Sequence, residues 1–289
     1  MTAGRTGEAA ISSRELARAA DALAGRRVAV ITGAGISTAS GIPDYRGSDS
    51  PPRNPMTFQQ FTQSEGYRRH YWARTYIGYQ FMEERQPNAA HLAIADWERK
   101  SPSSAGGIIT QNIDTLHQKA GSGLIRPVID LHGRFDRVSC MTCHRQYSRE
   151  FVQGMFAQAN PGFAETVGDV EIAPDADAVL QTTDSFSLVY CPHCGGDLRP
   201  DVVFFGEVVP RPRVRRTMER VDQAQALLVL GSSLAVHSGW RYVARAVSAD
   251  KPVVIVNIGP TRGDKQATVR LEGDLSVLVP ELLDRLSGA

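Results

Sequence analysis

An α/β fold is what the sequence predicts: a doubly wound parallel sheet with a smaller inserted module built from a zinc ribbon and helices. Three observations carry that prediction. Short apolar, mostly β-branched runs beginning at Val28, Ile108, Val128, Ala226 and Val253 read as buried strands. Several of these runs end in glycine, amide or acid residues, where a sheet of this class holds its ligands. All four cysteines fall into two C-x-x-C pairs, which calls for a separate metal-binding lobe. The sheet portion is therefore Rossmann-like.

The 289 residues suffice for a sizeable core and one large domain with an insertion. The formal net charge is +1, so nothing general points to nucleic acid or anionic lipid as a partner. No apolar run approaches the ~20 residues of a membrane span. Met1 to Gly7 lacks the apolar core of a secretory signal, and Glu8 and Glu15 argue against a transit peptide. A cytoplasmic, reducing location is expected, where cysteines bind metal more readily than they pair.

Ser12-Ser13-Arg14-Glu15 has the pattern of a capping box. The apolar stripe Leu16, Ala19, Ala20 and Leu23 follows, and Gly25 closes the helix. The strand at Val28 runs into Gly33-Ala34-Gly35-Ile36-Ser37. A glycine-rich turn after a strand lets backbone N–H groups approach a phosphate. The dinucleotide fingerprint asks for a sixth-position glycine, where Thr38 stands, and no acidic residue closes an obvious next strand. On the glycines alone, a nucleotide turn and a plain tight turn fit equally. Asp44, Tyr45 and Arg46 shift that balance. An acid, a ring and a cation just past the turn suit a loop folding over a bound cofactor. Ser48 to Pro55 is a Ser/Pro-rich loop, either a flap over the cofactor or a connector.

Glu65 to Glu84 reads as a helix rich in aromatic residues, with Tyr71 and Arg74 on one face. Core packing is the ordinary meaning of such a stripe. Asn88 to Lys100 is the next helix, with His91 and Trp97 as packing residues. The strand at Ile108 ends in Gln111-Asn112-Ile113-Asp114, two amides and an acid at the ligand-binding edge. His117, on the helix that follows, reads as structural. The strand at Val128 ends in His132-Gly133. A lone histidine is usually a packing residue. At a strand end, beside such polar clusters, His132 is a candidate general base.

Cys140-Met141-Thr142-Cys143 and Cys191-Pro192-His193-Cys194 each present two thiolates on a tight turn. Together Cys140, Cys143, Cys191 and Cys194 close an S4 site suited to one structural Zn²⁺, with no open position for substrate. Haem attachment at Cys140 to His144 would leave the second pair unexplained, and a redox pair needs only one motif. Four thiolates make His144 and His193 unnecessary as ligands. Phe151 to Phe186, between the pairs, has no clear pattern. Gly231-Ser232-Ser233 and Asn257-Ile258-Gly259 close the strands at Ala226 and Val253, where a dinucleotide would lie. Leu278 to Leu286 is a closing amphipathic helix.

The order of these motifs resembles the sirtuins, the NAD-dependent protein deacylases, from about Arg26 to Leu286. The match runs through the glycine loop, Gln-Asn-Ile-Asp, His-Gly, the cysteine pairs, Val202-Val203-Phe204-Phe205-Gly206-Glu207, Gly-Ser-Ser and Asn257. Tyr45 stands where many members have Phe. The long segment between the cysteine pairs resembles the branch that includes a mitochondrial human member.

The resemblance implies roles. NAD would lie across the sheet, its pyrophosphate at Gly33, Ala34, Gly35 and Ser37, with Asp44, Tyr45 and Arg46 over it. Asp114 would hold the nicotinamide carboxamide beside Ile113, and Gln111 and Asn112 would orient the ribose. Gly231, Ser232, Ser233, Asn257, Ile258, Gly259, Asp274 and Leu275 would surround the adenosine half. His132 and Asn112 would be catalytic, His132 as base towards the ribose hydroxyls. Val203, Phe205 and Gly206 would meet an acylated protein lysine, the peptide adding as a strand. A buried strand with no exposed edge fits the same spacing. Some sirtuins that remove negatively charged acyl groups carry Tyr-x-x-Arg, which would give Tyr71 and Arg74 a carboxylate to pair with. The alternative is a surface Arg stacked on a ring. Products would be free lysine, nicotinamide and O-acyl-ADP-ribose. A mono-ADP-ribosyltransferase using the same NAD site is the second reading. A non-catalytic NAD-sensing zinc-ribbon module is a third, from another class. The expected division assigns 1–42, 98–133 and 203–289 to NAD, 43–97 to the cofactor loop and helices, and 134–202 to zinc.

Overall fold

The computed structural model describes residues 13–45, 55–168, 170–180 and 182–287. Arg46, most of the loop from Ser48 to Pro55 and Ser12 of the capping box lie outside them. The chain opens with α1 (Ser13–Leu23), whose stripe Leu16, Ala19, Ala20 and Leu23 is buried. Then come β1 (Val28–Thr32), α2 (Phe58–Gln63), α3 (Glu65–Glu84), α4 (Ala89–Lys100) and β2 (Ala105–Thr110). Asn88 caps α4 by accepting from the Ala90 amide. After α5 (Leu116–Lys119) and β3 (Ile129–Asp130) the chain leaves the main sheet.

The excursion comprises β4 (Gly133–Cys140), β5 (Gln146–Ser148), α6 (Arg149–Ala159) and β6 (Leu198–Val202). These strands form a separate antiparallel sheet in the order β5-β4-β6. The last of these strands stays with the excursion, because β6 pairs with β4, and Val203 just beyond it donates its amide to the His132 carbonyl at 2.8 Å.

The chain then completes the main sheet with α7 (Arg211–Gln223), β7 (Ala226–Leu230), α8 (His237–Val247), β8 (Val253–Val256), β9 (Val269–Leu271) and α9 (Leu275–Ser287). Strand order is β3-β2-β1-β7-β8-β9, and every pairing is parallel. All residues of β1, β2, β7 and β8 are buried. That is why they read as continuous apolar runs rather than alternating ones. β9 is too short to give a periodic signal. From β1 the chain steps to β2 and β3 on one side; on its return it fills β7, β8 and β9 on the other. The β1–β7 boundary is thus the topological switch point, where a sheet of this type binds its ligand.

The patternless segment 151–186 has an apolar role. Val152 and Phe156 of α6, with Phe163 and Phe186, pack on Trp72 of α3. Residues 173–178 close over α3 as a strap. Gly78 permits this, since a Cβ there would collide with the Ala176 carbonyl oxygen. Ala176 itself has φ 63°, a strained value for a residue with a Cβ.

His91 and His117 are packing residues, as expected, with ring centroids 4.9 Å apart. The His117 Nε2 lies 2.9 Å from the Thr32 hydroxyl. Burial lowers both pKa values, that of His91 to about 4 even though Asp114 pulls it upward. Unfolded imidazoles take up protons from about pH 6.5 downward while these two do not. The unfolded state then binds more protons, so stability falls as pH drops below about 6.5 and keeps falling towards pH 4. Each ring contributes about 1.4 kcal/mol per pH unit across that window. Urea midpoints at about pH 7 and about pH 5 measure the effect. A His91→Gln, His117→Gln double variant should lose much of the difference, and an undiminished difference would clear the two rings.

Candidate functional site

The glycine turn follows β1, and Gly231-Ser232 follows β7, so the two flank the switch point. They approach closely. A Cβ on Gly33 would lie 2.8 Å from the Gly231 carbonyl oxygen and 2.8 Å from the Ser232 Cβ. The Gly33 amide donates to Leu230 O at 3.0 Å and the Gly35 amide to Gly231 O at 2.9 Å. Ile36 N donates to Gly33 O and Ser37 N to Ala34 O. Four amides of the turn are therefore used internally. The turn forms a rigid crevice wall, with fewer amides open to a phosphate than its glycine content implied.

Beside it stands the cluster at the end of β2. The Asn112 amide nitrogen donates to Gly33 O and to the Ser37 hydroxyl, both at 3.1 Å. Ser37 donates in turn to the Asp114 Oδ2 at 2.6 Å. The other Asp114 oxygen accepts from the Leu116 amide at 3.0 Å. That bond holds Thr115 at φ 61°, an unfavourable conformation for a β-branched residue. The Gln111 side chain donates to the Ser232 hydroxyl at 2.8 Å, so the ends of β2 and β7 are tied together. It also fills the space over Gly239, where a Cβ would sit 2.5 Å from its Oε1.

His132 follows β3 at the same edge. Its Nδ1 lies 2.8 Å from the Gln111 carbonyl oxygen and its Nε2 2.9 Å from the Ser238 hydroxyl. A carbonyl only accepts, so Nδ1 carries the hydrogen and Nε2 keeps its lone pair. Burial pushes the pKa of the ring below 6.5, against the opposing Gln111 carbonyl, and Arg213 and Arg241 lower it further. At neutral pH the ring is therefore an unprotonated base with Nε2 as the basic atom.

Ser238 was not read from the sequence, because a serine at the start of a helix is ordinarily a cap. Its neighbour Gly239, small enough for Gln111 to lie against, was the available signal. The Ser238 hydroxyl serves either ring state, donating to the neutral ring and accepting from the cation. A hydrogen bond to the charged form is the stronger one. Ser238→Ala should therefore penalise the cation more and move the acid limb of kcat/KM to lower pH, by up to about one unit. A pH–rate profile reads this. An unmoved limb would reduce Ser238 to packing.

The segment expected to meet substrate joins at Val203, whose amide donates to His132 O. Phe205 is 41 % exposed rather than part of a closed strand. Its ring meets that of Tyr45 with centroids 5.9 Å apart, edge to face. Gly206 follows at φ 76°. Tyr71 and Arg74 diverge in partner. The Tyr71 ring sits among Phe61, Phe204 and Trp72. The Arg74 guanidinium pairs with Asp177 at 2.8 Å and donates to Ala178 O at 2.8 Å. Arg74 thus clasps the strap.

At the far end of the crevice the Asn257 side chain donates to Ile258 O and Gly259 O, and the Ser233 carbonyl accepts from the Arg262 amide. The turn expected at Asp274 and Leu275 is the start of α9, with Asp274 accepting from the Ser276 amide at 2.8 Å. The closing helix thus begins at Leu275, three residues before the sequence suggested.

The four cysteine sulfurs lie within 4.8 Å of one another. Cys140 and Cys194 are 3.5 Å apart, and Cys143 and Cys191 3.7 Å. A tetrahedron with Zn–S bonds of about 2.3 Å has edges of about 3.8 Å, so the spacing fits the ion. The Thr142 and Cys143 amides donate to the Cys140 sulfur, as suits a thiolate.

The chain matches the family model described as "Sir2 family" over residues 33–238. It belongs to the Sir2 family. A Mycobacterium avium NAD-dependent protein deacetylase 1 is 50 % identical over 92 % of this chain and 93 % of its own length. The human mitochondrial NAD-dependent protein lipoamidase sirtuin-4 is 42 % identical over 88 % of this chain and 81 % of its own. Among solved structures, one described for the mechanism and regulation of Sir2 enzymes superimposes with a TM-score of 0.71 at 30 % identity, covering 95 % of this chain and 98 % of the other. A Sir2 complex with a p53 peptide and NAD⁺ gives 0.68 at 30 % identity, covering 93 % of this chain and 97 % of the other. As a member of this family the chain uses NAD, and the four-cysteine cluster fits a structural zinc site. Among the described residues no helix is long and apolar enough to cross a membrane.

Proposed function

We propose that this chain removes acyl groups from protein lysines with NAD, releasing free lysine, nicotinamide and O-acyl-ADP-ribose. One observation carries the reading. The His132 base joins the β2 edge through Gln111 O and the substrate segment through Val203 N. It therefore stands between cofactor crevice and peptide-binding strand.

NAD supplies the ribose carbon that accepts the acyl oxygen and the nicotinamide that departs. The residues around it bind, orient and move a proton. Asn112, held by Gly33 O and Ser37, orients the ribose, with Gln111 fixing the neighbouring wall. Asp114 receives the carboxamide while anchored by Ser37 and Leu116 N. Gly33 to Ser37, Asp44 and Tyr45 wall the pyrophosphate; Gly231 to Ser233, Asn257 to Gly259, Asp274 and Leu275 wall the adenosine half. His132 Nε2 takes the ribose hydroxyl proton, and the depressed pKa keeps it free to do so at neutral pH. Tyr45 and Phe205 meet edge to face where the cofactor loop borders the lysine channel. A cytoplasmic enzyme acting on protein lysines, with neither nucleic acid nor membrane as partner, accords with the net charge of +1.

The test is mass spectrometry of the products formed from NAD and an acetyl-lysine peptide. O-acyl-ADP-ribose with a deacylated peptide supports the reading. ADP-ribosylated protein without deacylation would favour the transferase, and no NAD consumption would favour a sensing module.

A further inference from the structure

Helix α7 carries a local excess of positive charge. It opens Arg211-Pro212-Arg213-Val214-Arg215-Arg216 and continues to Arg220, with no acid in its first turn. The net charge of the whole chain is only +1. Arg213, Arg216 and Arg220 stand at i, i+3 and i+7, so they share one face. The helix packs beside β2 and β3, and β3 is an edge strand. The upper end of the stripe reaches the base, where Arg213 donates to Leu131 O at 3.4 Å, next to His132. The lower end meets a fourth arginine. Arg220 donates to Pro127 O at 3.2 Å and lies against Gly107, where an added Cβ would collide with its Nη1 and come within 3.2 Å of the Arg126 Cβ. Burial, and then the charges of Arg126 and Arg216, lower the Arg220 pKa. Three guanidiniums are thus close enough to repel. Like charges four apart, as at Arg216 and Arg220, weaken a helix, so folding gives no reason to gather them.

The acids nearby are committed elsewhere. Asp201 faces Arg213 at 3.6 Å, Glu219 faces Arg215 at 3.8 Å, and Asp222 pairs with Arg245 at 2.7 Å. Asp130 accepts from Gln118. Glu98, the acid whose charge acts on Arg220, is 4 % exposed and accepts from the Gly123 amide, and burial raises its pKa. Among the described residues Arg126, Arg216 and Arg220 form no ion pair. Beside them the chain turns at Gly121 and Gly123, both at φ 89°, and lifts Leu124 and Ile125 into solvent, 79 % and 47 % exposed.

We propose that this stripe docks an acidic segment of the protein substrate, with Arg126, Arg216 and Arg220 pairing with its carboxylates and Leu124 and Ile125 covering an apolar residue at its end. The inference rests on the deacylase reading above. Guanidinium forks match carboxylates in geometry as well as charge. From Arg213 to Arg220 the stripe is about 10 Å long, which three or four residues of extended chain would cover. A protein substrate is the occupant because the surface is continuous with the segment expected to meet the lysine: Val203 to Gly206 runs on through Glu207 to Pro210 into α7. Docking there raises the local concentration of the acyl-lysine at the crevice, so it acts on KM rather than on kcat.

The experiment uses two acetyl-lysine peptides with one core, one extended by a Glu-rich tail and the other by a Gln-rich tail, each made with the tail on either side of the lysine. For one of the two placements, wild-type kcat/KM should favour the Glu tail about tenfold, through KM, as a few exposed ion pairs together supply. The preference should shrink as salt rises from about 0.05 to about 0.3 M. In an Arg126→Gln, Arg216→Gln double variant most of it should be lost. Ending the Glu tail in leucine should strengthen the preference in wild type and not in a Leu124→Ser, Ile125→Ser variant. Parity between Glu and Gln tails in both placements overturns the proposal, and so does an undiminished preference in the arginine double variant. If that variant does not fold by its melting curve, the wild-type ratio and its salt dependence decide. Binding of an oligonucleotide or of anionic vesicles through the same arginines, without a Glu-over-Gln preference, overturns it in favour of those partners. Turnover of the core peptide with parity between tails rejects the docking surface and leaves the deacylase reading standing. No turnover of any acetyl-lysine peptide rejects the deacylase reading itself, and fluorescence anisotropy of a labelled Glu-rich peptide with wild type and the arginine variant then decides whether the stripe binds acids.

Discussion

Replacing His132 by Ala is expected to abolish measurable NAD consumption with an acyl-lysine peptide, a loss of about 10²- to 10⁴-fold for removal of a general base. The size follows from how singular the group is. Its tautomer is fixed by Gln111 O, its basic nitrogen is Nε2, and burial holds its pKa below the ordinary value. His91 and His117 do not stand in for it, because both are enclosed in the packing behind β1 and β2. The acid limb of the wild-type kcat/KM profile should also lie below pH 6.5. Activity is lost as pH falls through the folded-state pKa, because the protonated ring has no lone pair to use. Zinc content and melting temperature of the variant should match wild type, since the metal cluster lies at the far end of β4. Undiminished NAD consumption in the variant would remove His132 from the chemistry.

Removing the metal is the second large effect. Cys191→Ser, or prolonged chelation, should release about one zinc per chain and abolish deacylation, although no cysteine touches the crevice. Structural zinc contributes about 10–16 kcal/mol in small zinc-finger peptides, comparable to the whole stability of an ordinary domain. Here the loss is transmitted through packing. Cys140 and Cys191 belong to the same apolar cluster as Trp72, Val138, Phe156 and Phe186. β4 begins at Gly133, beside His132, and ends at Cys140. Loosening the cysteine end frees β4 from β6 and with it the Val203–His132 bond. Metal analysis, near-UV circular dichroism and activity on one sample test this. Full activity in metal-free protein would separate the lobe from the site.

The parts legible in the sequence share a property: each is a local pattern with one physical cause. Continuous β-branched runs mark strands covered on both faces, and β7 and β8 fall where those runs stand. The aromatic stretch from Glu65 matches α3 end to end, capped by Ser64. The cysteine pairs needed only their spacing. Less legible were features made by contact at long range. Ser238 meets His132 from a helix 106 residues away, and no local signal records that approach. The glycine turn looked like an open phosphate cradle, but β7 takes up two of its amides. The i,i+3 rule put Tyr71 and Arg74 together, and the strap then claimed Arg74 through Asp177.

By itself the sequence determined the class of fold, the metal ligands and the residue types at each strand end, because periodicity, turn chemistry and ligand spacing act over a few residues. Only the tertiary structure decided which nitrogen of His132 is basic and that Arg74 is spent on an ion pair with Asp177. Those outcomes depend on groups brought together from distant parts of the chain, where a carbonyl, a hydroxyl or a carboxylate a few ångströms away sets the protonation and pairing of its neighbour.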